Sequence, residues 1–203
     1  MAIVYDATIT PGKRDLMKAW LPSRSWFDGD LDRKPVGSFR FDDPDGEVGI
    51  EFFLLGGTEG PTLLVPMTYR AAPLDGAEEH LIGTTEHSVL GPRWVYDACG
   101  DPVGTSALVS AIVTGGHEAD VRMARDGQVV RFDPTCRVVG SGTGTEEVSV
   151  DAVTVLDAGD PTVVRAGDHE LLVAHVLGPG VTGSETLTAT WGDGEPVVVA
   201  ALR

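Results

Sequence analysis

The chain has 203 residues, a hydrophobic fraction of 42% and a formal net charge of −16. This length allows a sizeable core in one domain or two small ones, and the negative charge disfavours nucleic acid and anionic membrane surfaces as partners. The sequence contains no long apolar run and no signal-like start, so we expect a cytoplasmic protein without a membrane span.

Glycine and cysteine content narrow the fold class. The 26 glycines and 13 prolines indicate many turns and therefore many short strands. The two cysteines, Cys99 and Cys136, are too few for a disulfide scaffold and lack metal-binding spacing. We expect two separate buried thiols, with a Cys99–Cys136 pair as the alternative.

The first residues predict a strand followed by a short helix. Residues 3–9 alternate as an opening strand, and Thr10 with Pro11 supplies a helix cap and a first-turn proline. The helix is predicted over 12–21. Its buried face consists of Leu16, Met17, Trp20 and Leu21. A polar loop over 23–35 follows, with Trp26 and Phe27 as its anchors.

The next segment predicts an antiparallel hairpin and a third strand. Phe39 and Phe41 point to one side, and a turn at 43–46 leads into a buried strand over 48–55. A further strand is predicted over 63–69. Pro66 lies inside it and predicts an edge position or a bulge, because proline cannot donate to a ladder.

The segment from 79 to 116 contains another strand and a second helix. Residues 79–89 show no clean period, whereas 93–98 alternate as a strand. Asp101 and Pro102 predict the start of a helix that ends at 115–116. The first half is therefore predicted as α+β, with two helices packed on an antiparallel sheet.

Beyond residue 116 the pattern changes to short strands separated by glycine- and aspartate-rich turns, as in an all-β sandwich or barrel. We therefore expect two subdomains, an α+β unit at 1–116 and a β-rich unit at 117–203. The glycine-rich stretch 140–145 lacks a P-loop lysine and is followed by two glutamates, so we interpret it as a flexible turn rather than a phosphate cradle.

The richest set of polar and aromatic side chains lies in and near the 93–98 strand. Adjacent His and Ser side chains on an extended segment point apart, which argues against a triad of His87 and Ser88 with a nearby acid. We favour hydrogen bonds from His87 and Ser88 to the local loop backbone. As an alternative, the patch could bind a sugar or the backbone of a partner. Its residues are Glu86, His87, Arg93, Trp94, Tyr96 and Asp97.

Neither of two acidic groupings predicts a metal site. His80 and His87, with the glutamates before them, have no secondary structure that would give their spacing a geometric meaning. The acids from Asp42 to Glu51 fail the EF-hand spacing and are interpreted as solvated side chains around a hairpin turn. We expect no metal and no catalytic residue.

Three strings of sequence resemble the N-terminal cap domain of actinobacterial maltokinases and related sugar kinases. They are FRFDDPDGEVGIE (39–51), VPMTYRAAPL (65–74) and HLIGTTEHSVLGPRWVYDACGDPV (80–103). The resemblance implies a cystatin-like curved sheet with helices for the first half. It also implies that 117–203 corresponds to the β-rich intermediate subdomain, which in such kinases supplies an ATP-site lysine before a helical catalytic lobe.

That resemblance also implies what the chain lacks. The ATP-site lysine would align at Ala200, the last lysine is Lys34, and the chain stops at Arg203 before a catalytic lobe. Because phosphoryl transfer needs cationic phosphate positioning and metal-binding acids, we expect a protein that is not a kinase and needs no cofactor.

The leading hypothesis is a non-catalytic, cap-like binding or regulatory protein associated with maltose, trehalose and α-glucan metabolism. By the resemblance, its partner would be trehalose synthase, a maltokinase or another α-glucan enzyme. One alternative is a sugar-binding protein or enzyme that uses the patch around His87 and Arg93. Another is a structural homodimer in which exposed strands of the second half pair between copies.

Overall fold

A computed structural model describes residues 2–5, 7–57, 59–125, 128–178 and 180–203, with the backbone alone at 2–5, 122–125 and 128–132. The α-helices in these ranges are α1 (Lys13–Trp20) and α2 (Pro102–Thr114). The strands are β1 (Ala2–Tyr5), β2 (Ile9–Thr10), β3 (Lys34–Phe41), β4 (Gly49–Gly56), β5 (Thr62–Arg70), β6 (Leu81–His87), β7 (Gly91–Asp97), β8 (Val121–Arg125), β9 (Gln128–Phe132), β10 (Cys136–Gly140), β11 (Val153–Asp157), β12 (Thr162–Ala166), β13 (His169–Val173), β14 (Val176–Leu177), β15 (Glu185–Trp191) and β16 (Val197–Leu202).

Two antiparallel sheets dominate the described chain. The seven-stranded sheet has the order β2-β6-β7-β5-β4-β3, and β14 from the second half adds to β5. The six-stranded sheet has the order β10-β15-β16-β13-β12-β11. A three-stranded group of β1, β8 and β9 contains a parallel pair between β1 and β8. The prediction of a β-rich protein with two helices is confirmed.

Two inner strands of the seven-stranded sheet, β4 and β5, are buried on both faces. Along β4, Phe53 and Leu55 point towards α1, whereas Phe52 and Leu54 point into a larger core shared with α2 and the six-stranded sheet. This division follows from the two-residue period of a strand. A strand buried on both faces loses the polar positions of a half-exposed strand, and 48–55 is accordingly almost continuously apolar.

The chain start differs from its prediction in two respects. The opening strand is two separate strands, because β1 pairs with β8 while β2 pairs with β6. Thr10 belongs to β2, where it pairs with Glu86 of β6, and so it does not cap α1. Instead, Gly12 precedes the helix and donates its N–H to the carboxylate of Asp15 at 3.3 Å. The predicted buried face of the helix is confirmed.

The position of Pro66 explains why β5 tolerates a proline. β5 pairs with β4 along most of its length, so the strand is central rather than at an edge, and no bulge interrupts that pairing. On its other side, β14 pairs with 62–63 and β7 pairs with 67–70. On that side, Pro66 therefore lies between the end of the pairing with β14 and the start of the pairing with β7. Neither strand pairs with it there, so its lack of an N–H group costs no hydrogen bond with them.

The strand β6 was missed by sequence analysis. Its pairing with β7 shifts in register between Leu81 and Gly83, so that buried Ile82 and buried Thr85 are three residues apart instead of two. This irregularity removes the alternation that identifies a strand. After the turn at 88–90, β7 begins at Gly91, whose φ of 74° lies in the left-handed region that favours glycine.

The second helix confirms its prediction in detail. Asp101 accepts a hydrogen bond from the Val103 N–H at 2.9 Å, and Gly115 ends the helix with a φ of 67°. Cys99 and Cys136 are buried, separate thiols, as expected. Burial raises the pKa of Cys136 to about 12.

The second half contains strands and no α-helix among its described residues, as predicted. The division into subdomains at residue 116 stays a prediction. Side chains from both halves, including Phe52 and Leu187, belong to one buried cluster.

Candidate functional site

A cleft of about 570 Å³ opens on the α1 side of the seven-stranded sheet. It lies between the chain start around β2, the hairpin that joins β3 to β4, and the tip of the β6–β7 hairpin. This size is typical of pockets for small molecules. Its polar and charged lining consists of Lys13, Arg40, Asp42, Asp43, Glu47, Glu51, Tyr69, Thr85, His87 and Arg93.

Glu51 forms the floor of this cleft. It lies directly opposite Arg40 in the β3–β4 ladder and is only 7% exposed. Its Oε2 atom accepts a hydrogen bond from Lys13 Nζ and lies 3.7 Å from Arg40 Nη1. A buried carboxylate is stable only with such partners. The prediction that Glu51 belongs to a solvated turn is therefore wrong.

Two aromatic rings support the ammonium group of Lys13. Its Nζ lies 5.3 Å from the centroid of Phe53 and 5.5 Å from that of Tyr69. Burial, with the nearby charge of Glu51, raises the pKa of Tyr69 well above its ordinary value. Tyr69 therefore presents a protonated phenol to the cleft at neutral pH.

The predicted patch is divided between the two faces of the sheet. Thr85 pairs with Arg93 and Thr84 pairs with Trp94, so neighbouring residues alternate in direction. His87 and Arg93 line the cleft, whereas Glu86, Trp94 and Tyr96 point to the opposite face. The structure thus brings together two of the six residues predicted for this patch, and binding by the whole set stays a prediction.

Local hydrogen bonds account for several side chains of this patch. The Nδ1 atom of His87 accepts from the N–H groups of Val89 and Leu90 at 3.3 and 3.1 Å. Burial, followed by the charges of Arg93 and Lys13, lowers the pKa of His87. Ser88 Oγ accepts from the Thr8 N–H at 3.0 Å. The prediction of bonds to the local loop backbone is confirmed for His87, whereas Ser88 bonds the backbone of Thr8, which is 80 residues away in the sequence.

Tyr96 and Asp97 also accept hydrogen bonds from backbone N–H groups. The Tyr96 hydroxyl accepts from the Leu74 N–H at 2.9 Å, and Asp97 accepts from the Cys99 N–H at 3.0 Å. Asp97 is therefore the cap of the short 3-10 helix over Ala98–Gly100.

The acidic hairpin turn is held by its own backbone. The Asp43 carboxylate accepts hydrogen bonds from the N–H groups of Asp45, Glu47 and Val48, the last at 2.8 Å. This arrangement is a turn, as predicted for Asp43. Within the described residues, no group of three or more His, Cys, Asp or Glu side chains could hold a metal ion.

The glycine-rich stretch 140–145 is a helix cap. Gly142 and Gly144 donate their N–H groups to the carbonyls of Ile112 and Val113 in the last turn of α2, at 2.8 and 2.7 Å. These N–H groups are thus occupied, which agrees with the prediction that the stretch is not a phosphate cradle. The prediction of a flexible turn is wrong, because the stretch is pinned to the helix end.

Comparison with known families gives one match. Residues 20–101 match the family model of the maltokinase N-terminal cap domain. This stretch resembles the maltokinase cap. The matched residues include β3 to β7, which supply the centre of the seven-stranded sheet and most of the cleft, and they end at Asp101, the cap of α2.

The predicted resemblance to the maltokinase cap domain is confirmed, and the match covers fewer than half of the 203 residues of the chain. No curated protein matches the chain. In the described ranges, no helix combines the length and the apolar character that crossing a bilayer requires.

The cleft residues Lys13, Arg40, Glu51 and Tyr69 were missed as a site because they are far apart in the sequence. One indication was available. Glu51 interrupts the apolar run of β4, and a charge inside a buried strand requires a partner.

Proposed function

We propose that this chain is a non-catalytic, cap-like binding or regulatory protein associated with maltose, trehalose and α-glucan metabolism. The main observation in support of this proposal is the match of residues 20–101 to the maltokinase N-terminal cap domain. In this proposal the seven-stranded sheet with α1 against it corresponds to a cystatin-like cap, and the protein is cytoplasmic. It acts by contact with another protein.

The distribution of lysines supports a role without phosphoryl transfer. Lysine occurs at positions 13, 18 and 34 of the whole sequence. In the proposed alignment with the kinase intermediate subdomain, the ATP-site lysine falls at Ala200. That residue is fully buried in β16, with Leu187 and Val173 as its partners on the two sides.

The partner proposed is trehalose synthase, a maltokinase or another α-glucan enzyme. Affinity purification with the tagged chain from an extract of its own host should enrich one of these enzymes. An unrelated protein of similar negative charge serves as the control, because a net charge of −16 attracts cationic proteins without specificity. If none of these enzymes is recovered, the proposal that one of them is the partner is contradicted. Nucleotide turnover with a sugar acceptor by the pure chain would contradict the non-catalytic role.

A second candidate function is sugar binding, which the placement of His87 and Arg93 at the cleft favours. A thermal-shift screen with maltose, trehalose, glucosamine and oligoglucans tests this candidate. A saturable shift that is lost in Arg93→Gln would support it, and equal shifts in wild type and variant would count against it.

A homodimer is a third proposal, supported by β11 at the end of the six-stranded sheet, where Leu156 is 47% exposed. Size-exclusion chromatography with light scattering distinguishes a monomer from a dimer.

A further inference from the structure

Arg40 has hydrogen-bonding capacity in the cleft that the described protein does not use. Its Nε atom is buried and has no hydrogen-bond partner among the described residues. Its ion-pair contact with Glu51, at 3.7 Å, is longer than a hydrogen bond, and the same Glu51 oxygen is already bonded to Lys13. A buried donor without a partner costs about 1–3 kcal/mol. A ligand in the cleft cannot reach this atom, because it has no surface open to solvent. The donors of Arg40 that a ligand can meet are its terminal Nη groups, which have no hydrogen bond among the described residues.

The charges in the cleft favour a ligand with one negative charge. Three cations line the cleft, Lys13, Arg40 and Arg93, against four acids, and of these acids Glu51 alone is buried. The remaining described acids lie on the hairpin turn at the mouth, where Asp42 and Glu47 are exposed. A monoanion can therefore meet the cations inside, whereas a dianion such as phosphate experiences stronger repulsion from Glu51 and from the acidic mouth.

The geometry of the guanidinium selects the kind of anion. The two Nη groups of arginine form a planar fork that matches the two oxygens of a carboxylate. Apolar side chains also line the cleft, including Ile9, Val48 and Leu90, and they suit a ligand with a hydrophobic body.

We propose that this cleft binds a small organic monocarboxylate, with its carboxylate on Arg40 and its apolar body against Ile9, Val48 and Leu90. Lys13 and Arg93 supply the neighbouring positive charge, and Glu51 holds Lys13 and Arg40 in place. The inference depends on the cleft alone, so it stands whether or not the proposed partner protein binds.

Binding is tested with pairs of probes that differ in charge. Hexanoate, benzoate and indole-3-acetate are titrated into the full ¹⁵N-labelled chain at fixed ionic strength, alongside hexanamide, benzamide and indole-3-acetamide. We expect saturable shifts of amide signals from β3, β4 and the β6–β7 hairpin with at least one carboxylate and much weaker shifts with its amide. Inorganic phosphate is a third kind of probe, beside the carboxylates and their amides.

Two substitutions with opposite effects identify the groups responsible. Arg40→Gln removes the fork and should raise the Kd at least about tenfold, or about 1.4 kcal/mol. Glu51→Gln keeps an oxygen that can accept from Lys13 and removes only the negative charge that competes with the ligand for Lys13 and Arg40, so it should lower the Kd. Arg203→Gln, an exposed arginine paired with Glu170 outside the cleft, is the matched control and should leave the Kd unchanged.

Several results would overturn the proposal. These are no saturable binding of any carboxylate, equal binding of a carboxylate and its amide, and tighter binding of inorganic phosphate than of every carboxylate. Loss of binding in Arg203→Gln equal to that in Arg40→Gln would also overturn it. Circular dichroism of each variant confirms folding, and Arg40→Lys, which keeps the charge without the fork, replaces Arg40→Gln if that variant does not fold.

Discussion

His175 connects three distant parts of the chain through one fully buried imidazole. Its Nδ1 lies 3.1 Å from the carbonyl oxygen of Leu64, which can only accept, so Nδ1 donates. Its Nε2 lies 2.8 Å from the Thr162 hydroxyl, and its ring stacks on Trp26 with centroids 4.3 Å apart. Burial lowers the pKa of His175 below its ordinary value of about 6.5. The imidazole is therefore neutral in the folded protein at neutral pH.

This pKa shift predicts a loss of stability on acidification. The unfolded chain takes up a proton on His175 near pH 6.5 and the folded chain only at lower pH, so the stabilisation is present above pH 6.5 and declines as the pH falls below it. One proton corresponds to a slope of up to about 1.4 kcal/mol per pH unit.

Urea unfolding between about pH 7.5 and about pH 5.5 measures that slope. His175→Asn retains a donor for Leu64 and should flatten the profile, whereas His169→Asn in β13 should keep the wild-type profile. An unchanged slope in His175→Asn would disprove the assignment.

Asp101 has the most heavily bonded carboxylate in the described chain, and it is fully buried. It accepts from the Thr68 hydroxyl at 2.7 Å, from Arg70 Nε at 2.7 Å and Nη2 at 2.6 Å, and from the Val103 N–H. The hydrogen bonds that Arg70 donates to the Asp101 carboxylate raise the pKa of Arg70. One side chain therefore ties α2 to β5.

Asp101→Asn should destabilise the protein by about 3 kcal/mol. The substitution leaves Arg70 without its counter-charge, and it places an NH₂ group, itself a donor, against the groups that donate to Asp101. The free energy of unfolding in urea is the measurement. Asp168→Asn, at an exposed turn, should change it by less than about 0.5 kcal/mol. Similar values for the two variants would contradict the role given to Asp101.

At the scale of elements, the glycine-rich stretch 140–145 and the end of α2 form one unit. A Cβ on Gly140 would lie 1.8 Å from the Ala111 carbonyl oxygen, and one on Gly142 would lie 2.2 Å from that of Val113. Only glycine allows the loop to approach closely enough for its N–H groups to reach the last carbonyls of the helix.

Gly140→Ala should therefore lower the free energy of unfolding by more than about 2 kcal/mol, because backbone has to move. Gly178→Ala is the matched control, since an added Cβ there has no described atom within 4 Å. Equal unfolding midpoints for the two variants would show that the helix end does not depend on this contact.

The strands themselves differ in how far sequence predicts them. The β3–β4 hairpin and β5 were predicted because their apolar positions and turn residues agree. β6 was not, because its register shift at Gly83 hides the period. β2 and β14, with two residues each, depend on pairing with β6 and β5 and have no sequence period of their own.

At the scale of the whole molecule, the large core includes residues from both halves. Phe39 and Ile50 of the seven-stranded sheet, Leu108 of α2 and Val199 of the six-stranded sheet are in the same cluster. α2 contacts β10, β12, β15 and β16. Loss of either sheet would expose the apolar surface of the other.

We therefore expect both sheets to unfold together in urea, in a single transition. Hydrogen exchange with mass spectrometry at increasing urea concentration follows peptides from β4 and from β16 separately. Coincident midpoints are the expected result. A lower midpoint for β16 than for β4 would instead favour two subdomains of independent stability.

The sequence alone determined the features that depend on neighbouring residues. The α1 face, the capped α2 and the β3–β4 hairpin follow from local patterns, and the resemblance to the cap domain follows from continuous strings within 39–103. Only the tertiary structure decided which side chains meet. Arg40 and Glu51 face each other across a ladder and Lys13 reaches them from a helix, while His87 and Trp94 lie on opposite faces of one sheet. Strand pairing sets such contacts over long separations, and a one-residue change of phase moves a side chain to the other face.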